Sequence, residues 1–130
     1  MNTKLWLFLL ALVCPLTTEW FFPPTPRQRT GNDVLEMCQY VEKPMRDQSV
    51  DQKAATIACL NYTSGFMAGV LAGSIAASSD SRPIICPSEE VTAQQVSAVV
   101  LKYLRDHPED RHESAVALVY IALAHAFPCK

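Results

Sequence analysis

The sequence predicts an all-α fold, a small disulfide-stabilised helical bundle with a central glycine-rich helix. Three observations carry this prediction. Apolar residues recur at three- and four-residue spacing, and no run of alternating residues is long enough for a strand. A stretch of 26 consecutive uncharged residues, Ala54 to Ser79, carries glycines every four positions at Gly65, Gly69 and Gly73. Cys38, Cys59, Cys86 and Cys129 are spread across the same region.

The first residues read as an export signal. Met1 to Lys4 is a short positive start, and Leu5 to Val13 is an unbroken apolar run of signal-peptide length. Pro15 breaks it, and no clean small-x-small cleavage triplet follows. The expected organisation is a signal peptide over 1–22, a Pro-rich lead-in over 23–30 and a helical domain over 31–130. Two competitors are weaker. Ala11-Leu12-Val13-Cys14 is a poor lipoprotein box because valine precedes the cysteine. A retained anchor over Leu5 to Phe22 would have to hold Pro15, two threonines and Glu19.

The helices follow in order. Thr30 or Asn32 can cap the first, with Val34, Leu35, Cys38 and Val41 on one side. It runs out near Lys43-Pro44, because a residue before proline resists the α conformation. The second starts around Ser49 to Lys53 and continues to about Ala77, and "SSDSRP" then supplies a polar loop. Thr92 and Gln95 form a capping box, with Val91 and Val96 as its hydrophobic staple. That third helix places Val96, Val99, Val100, Tyr103 and Leu104 on one face and ends at His107-Pro108. Pro108, Glu109 and Asp110 read as the start of a last helix. It buries Ala115, Leu118, Val119, Ala122 and Leu123 and stops at Pro128.

The uncharged stretch has the length of a membrane span, but its chemistry favours a buried helix. Seven of its 26 residues are large aliphatic, Met or Phe, and most others are small. At about −0.3 to −0.6 kcal/mol each, those seven supply at most about −4 kcal/mol for insertion. Asn61, Tyr62, Thr63 and Ser64 oppose it. At about 100° per residue, Ile57, Leu60, Met67, Leu71 and Ile75 share one arc, expected in the core. Gly65, Gly69 and Gly73 share a roughly opposite one. Each glycine costs about 1 kcal/mol in a helix. The expectation is close packing on this flat face, against a helix of the same chain or a second copy of the protein.

Several functions are excluded or unsupported. The net charge is −2 and no basic block exists, so nucleic acid is not an expected partner. Cys14 would leave with the signal, and four remaining cysteines in an exported chain read as disulfides with three connectivities. None forms a CxxC pair, which removes the zinc-ribbon and thioredoxin readings. "HPEDRH" offers His107 and His112, but it is not H-E-x-x-H and straddles a helix boundary. It reads as a solvated turn, and His125 as a core-edge histidine. Asn61-Tyr62-Thr63 is a glycosylation sequon inside an apolar helix, out of an enzyme's reach. No phosphate loop or serine elbow is present. The expectation is therefore no catalytic residue, no metal and no cofactor.

Taken together, "ICPSEEVT", "VVLKYLRDHPEDRH" and "ALAHAFPC" resemble the Rap/Tai family of type VI secretion immunity proteins. Cys38, Cys59 and the Tyr62-Thr63-Ser64-Gly65 approach to the glycine helix also fit. The resemblance covers roughly Gly31 to Cys129. Its most specific parts are Tyr103 to Glu109 and Phe127-Pro128-Cys129. The lead-in Trp20 to Pro26 is outside the pattern. The resemblance implies a disulfide-containing, all-helical periplasmic protein, often dimeric, that blocks a peptidoglycan amidase delivered by neighbouring bacteria. The rival in the same compartment is a periplasmic chaperone or stress protein, which would bind many clients weakly. A small hydrolase is the enzyme-class rival.

Two expectations complete the reading. The disulfides should pair Cys38 with Cys59 and Cys86 with Cys129, since each joins the end of one segment to the edge of another. The partner loop should lie between the second and third helices, at Ser79, Asp80, Ser81 and Arg82, because packing explains these polar residues poorly. The charged turn Arg105 to His112, stiffened by Pro108, is the other exposed candidate.

Overall fold

The computed structural model describes residues 27–76 and 84–130. The expected signal peptide over 1–22, half of the expected lead-in (23–26) and the expected loop with Ser79 to Arg82 lie outside the described residues. Among those described, four α-helices form: α1 (Gly31–Cys38), α2 (Val50–Ala76), α3 (Ala93–Asp106) and α4 (Ala115–Ala126). No strand joins them, only isolated bridges at Thr30–Ser114 and Ile85–Pro128. The all-α class is as expected, and the glycine-rich α2 is the longest element. Both α1 and α3 pack on the three other helices, whereas α2 packs chiefly on α1 and α3.

The start of α1 is fixed from both sides. Thr30 is its cap, and the Asp33 carboxylate accepts both the Thr30 N–H (2.7 Å) and the Thr30 hydroxyl (3.0 Å). The next two N–H groups, orphaned at a helix start, are taken up by another part of the chain. Gly31 donates to the Glu113 carbonyl (3.1 Å) and Asn32 to the Arg111 carbonyl (2.9 Å). In return, Ala115 donates to the Arg29 carbonyl (2.9 Å). This exchange also explains why the last helix begins at Ala115 and not at Pro108. Pro108–Asp110 makes a separate 3-10 turn. The carbonyls of Arg111 and Glu113 then serve α1 and cannot serve a continuous α4.

The two donors on Asp33 hold its carboxyl below its ordinary value of 3.8, the Thr30 backbone N–H contributing most and the hydroxyl next. The folded state thus binds a proton at this site less readily than the unfolded chain. Its contribution to stability is present above 3.8 and is lost as pH falls through the lower folded value. Asp33→Asn should remove that component. In thermal melts between neutral and acid pH, the wild-type advantage over Asp33→Asn should shrink as the pH drops below 3.8. A gap constant across the series would refute the assignment.

The α1–α2 connection is held by a buried glutamine. Gln48, 6% exposed, donates to the carbonyls of Tyr40 (3.0 Å) and Lys43 (2.6 Å) and accepts the Thr56 hydroxyl (2.9 Å). Ser49 and Gln52 then cap α2 reciprocally, at 3.3 Å and 3.2 Å. The face that α2 buries keeps Leu60, Met67 and Leu71 of the predicted arc but not Ile57 and Ile75. Thr56, Cys59, Thr63 and Met67 face the core, with Leu60, Phe66, Val70 and Leu71 partly buried. Ile57 is 48% and Ile75 85% exposed. Two contacts select this face: the Cys38–Cys59 disulfide, and a hydroxyl pair at 2.6 Å between Thr63 on α2 and Ser97 on α3. Ser97 also reaches the Ala93 carbonyl and Thr63 the Cys59 carbonyl, so each buried hydroxyl keeps a partner.

The glycine expectation needs correction. A methyl group built on Gly65, Gly69 or Gly73 meets no atom within 4 Å among the described residues. Those glycines are exposed. Among the described residues no helix lies against them, because α2 turns its Thr56–Cys59–Thr63 side inward. By length and composition α2 could cross a bilayer, yet its inner face is tied to α1 and α3 by the disulfide and the hydroxyl pair.

The start of α3 follows the predicted box. Gln95 donates its N–H to the Thr92 hydroxyl (3.3 Å), and its side-chain oxygen accepts the Thr92 N–H (2.8 Å). Val96, Ser97, Val100, Leu101 and Leu104 are buried, while Val99 and Tyr103 are half-buried. The other end is closed by Arg111, whose guanidinium donates to the carbonyls of Leu104 and Arg105. A cation there also suits the negative end of the helix dipole. The predicted inward residues of α4, Ala115, Leu118, Val119, Ala122 and Leu123, are all buried.

Candidate partner-binding surface

The surface expected to meet a partner begins where α2 ends. Ser79, Asp80, Ser81 and Arg82 fall outside the described residues, but the chain just after them is well anchored. Ile85 is 1% exposed and bridges to Pro128. Cys86 donates its N–H to the Phe127 carbonyl (2.8 Å) and is bonded to Cys129. Cys38 is bonded to Cys59. Both disulfides therefore have the expected pairing. One joins α1 to α2, and the other joins the lead into α3 to the tail after α4.

The other exposed candidate, Arg105 to His112, is a braced turn. Arg105 pairs with Glu42 on the α1 side and Lys102 with Asp106, each at 2.6 Å. The Lys102 ammonium holds the Asp106 carboxyl below its usual range. Arg111 is occupied in capping α3. Its role was hidden in the sequence, where "HPEDRH" reads as a run of charges. The available signal was a cation just beyond a helix end.

The same region contains a shallow groove of about 260 Å³ between α3 and α4. Its floor is Val99, Ala122 and Ala126, and its wall is aromatic. The Tyr103 and His107 rings stack at 4.1 Å, with His125 set edgewise to Tyr103 at 6.4 Å. Burial pushes the Tyr103 phenol up, and the Asp110 and Glu109 carboxylates add to the rise, so it stays protonated at neutral pH. A second concavity lies where the chain enters α1, lined by Arg27, Arg29, Asp33, Glu36, Met37 and Ala55. Arg29 sits over the Tyr62 ring at 5.6 Å. Burial raises the Tyr62 phenol, and the Arg29 charge partly offsets this.

The arrangement offers binding contacts more readily than reactive groups. One ring nitrogen of His107 faces the Tyr103 carbonyl and one of His112 faces the Glu109 carbonyl, both at 2.9 Å. Among the described residues no group of three or more His, Cys, Asp or Glu side chains is placed to hold a metal. The sequon is blocked differently from the expectation. Asn61 is exposed, but Thr63 is fully buried with its hydroxyl bonded.

Among the described residues these features make a helical scaffold cross-linked twice. A family model described as Rap1a immunity proteins matches residues 30–129. The chain belongs to this family, in agreement with the Rap/Tai resemblance, and an immunity role against a type VI effector follows at that level. No curated protein and no solved structure matches it. The match begins at Thr30, the cap of α1, and ends at Cys129, the last disulfide partner, so it spans the whole described bundle.

Proposed function

We propose that this is a periplasmic immunity protein that binds and inhibits a peptidoglycan amidase delivered by type VI secretion. The family match over residues 30–129 carries the reading. The two disulfides support it in two ways. They belong in an oxidising compartment, in keeping with residues 1–22 as an export signal. They also stiffen the scaffold, which lowers the ordering cost of binding. An inhibitor of this type has no catalytic residue and needs no cofactor. It needs one exposed element shaped for the enzyme's groove, and we assign that role to Ser79, Asp80, Ser81 and Arg82. A second copy of the chain is the further partner proposed, on the open face at Gly65, Gly69 and Gly73.

The test exports a neighbouring-gene amidase to the periplasm of a sensitive host, with and without this protein. Survival should require the protein. Asp80→Ala/Arg82→Ala should stay folded and bind the amidase about 30-fold more weakly, a hot-spot loss of about 2 kcal/mol. Full protection by that variant would refute the loop assignment. No protection against any such toxin would refute the immunity reading and leave the chaperone.

A further inference from the structure

The two disulfides occupy opposite environments. Cys38 and Cys59 are both 0% exposed and belong to the same core as Val34, Val41 and Val100. Cys86 is exposed and Cys129 half-buried. Thiol–disulfide exchange needs a thiolate to reach a sulfur, so access separates bonds of equal chemistry. The bonds also differ in what they hold. Cys38 ends α1 and Cys59 lies within α2, so that bond joins two packed helices. Cys86 precedes α3 and Cys129 follows α4, so neither sulfur is helical. Beside this outer bond, the described residues make the Cys86 N–H to Phe127 carbonyl hydrogen bond and the Ile85–Pro128 bridge, and Ile85 and Phe127 pack on the core.

We propose that Cys86–Cys129 is a redox-sensitive clasp, opened by dithiols under conditions that leave Cys38–Cys59 closed and the bundle folded. A thiolate of the dithiol attacks the Cys86 sulfur, and the Cys129 thiolate leaves and takes up a proton. The dithiol's second thiol then displaces Cys86 by closing its own disulfide. The protein gains two thiols, and the dithiol is oxidised by two electrons. Opening frees the segment before α3 and the C-terminal tail together. Ile85, 1% exposed in the closed form, then loses the covalent anchor next to it. The clasp thus couples the redox state to the order of the chain on both sides of one surface. This inference is independent of the toxin assignment.

The experiment uses the oxidised, full wild-type protein in native buffer. Dithiothreitol is added, samples are quenched with iodoacetamide, and the alkylated cysteines are mapped by mass spectrometry. Cys86 and Cys129 should be alkylated on the order of tenfold faster, or more, than Cys38 and Cys59. At the stage where only the outer bond is open, far-UV circular dichroism should be unchanged. Amide exchange should rise at Ile85–Cys86 and Phe127–Cys129 and remain slow in the middle of α3. Simultaneous opening of both bonds, earlier opening of Cys38–Cys59, or loss of helical signal in step with the outer bond would each overturn the proposal.

Discussion

Gly31→Ala should be the one alanine substitution among the four glycines that damages the fold, by about 2 kcal/mol. Gly31 is buried at the first turn of α1. A Cβ there would stand 2.5 Å from Leu118 Cδ1, 3.0 Å from the Arg111 carbonyl oxygen and 3.1 Å from Arg111 Cα. Backbone conformation is not the reason, since no glycine here has positive φ. The reason is close approach. Leu118 is 4% exposed in a packed core and has little room to rotate away. Arg111 is fixed by its carbonyl, which accepts the Asn32 N–H, and by its guanidinium, which caps α3. Gly65→Ala, Gly69→Ala and Gly73→Ala should each stabilise the monomer by about 1 kcal/mol, because they add helix propensity and meet no atom of the described residues. Urea unfolding of the four variants measures the contrast. A Gly31→Ala protein as stable as wild type would contradict the packing described. Gly69→Leu extends the test to the proposed second copy: the monomer should tolerate it, and a dimer formed through this face should dissociate in sedimentation equilibrium.

What the sequence disclosed depended on how local its signals were. The Thr92–Gln95 box and the inward face of α4 were legible because a few adjacent residues specify each of them. The buried face of α2 was legible only in part, at Leu60, Met67 and Leu71. Small or apolar residues surround that helix, so hydropathy placed Ile57 and Ile75 inside. The actual choice was made by partners distant in sequence, Cys38 for Cys59 and Ser97 for Thr63. The break between Pro108 and Ala115 was hidden for the same reason, since carbonyls that a helix would have used are claimed by Gly31 and Asn32. The glycine repeat suggested a packed face that the described residues do not fill. Gly31, outside any repeat, is the glycine in close contact. Within the charged turn, the second candidate for partner contact, the sequence did not disclose that Arg111 caps α3.

Removing the inner disulfide should cost more than removing the outer one, although loop length alone argues the reverse. In the chain-entropy model, Cys38–Cys59, separated by 21 residues, contributes about 3 kcal/mol. Cys86–Cys129, separated by 43, contributes about 4 kcal/mol. The difference is that of a doubling of loop length, only about 0.6 kcal/mol. Packing outweighs it. Both inner sulfurs are fully buried between α1 and α2, so Cys38→Ala/Cys59→Ala leaves a void in the core as well as a longer unfolded chain. Large-to-small changes in a core add about 1–2 kcal/mol when the site cannot collapse. α1 is short of room to shift into it, because its start is fixed by the Arg111–Ala115 segment at Arg29 to Asn32. The inner double variant should therefore lose about 4–5 kcal/mol. That is a large share of the about 5–15 kcal/mol holding a typical domain together. The outer variant, Cys86→Ala/Cys129→Ala, has an exposed site with no comparable void and should lose less. Equilibrium urea denaturation of both double variants at neutral pH decides the order. If the outer variant proves the less stable, loop closure and not burial governs these bonds, and the distinction between an inner structural bond and an outer clasp loses its energetic basis.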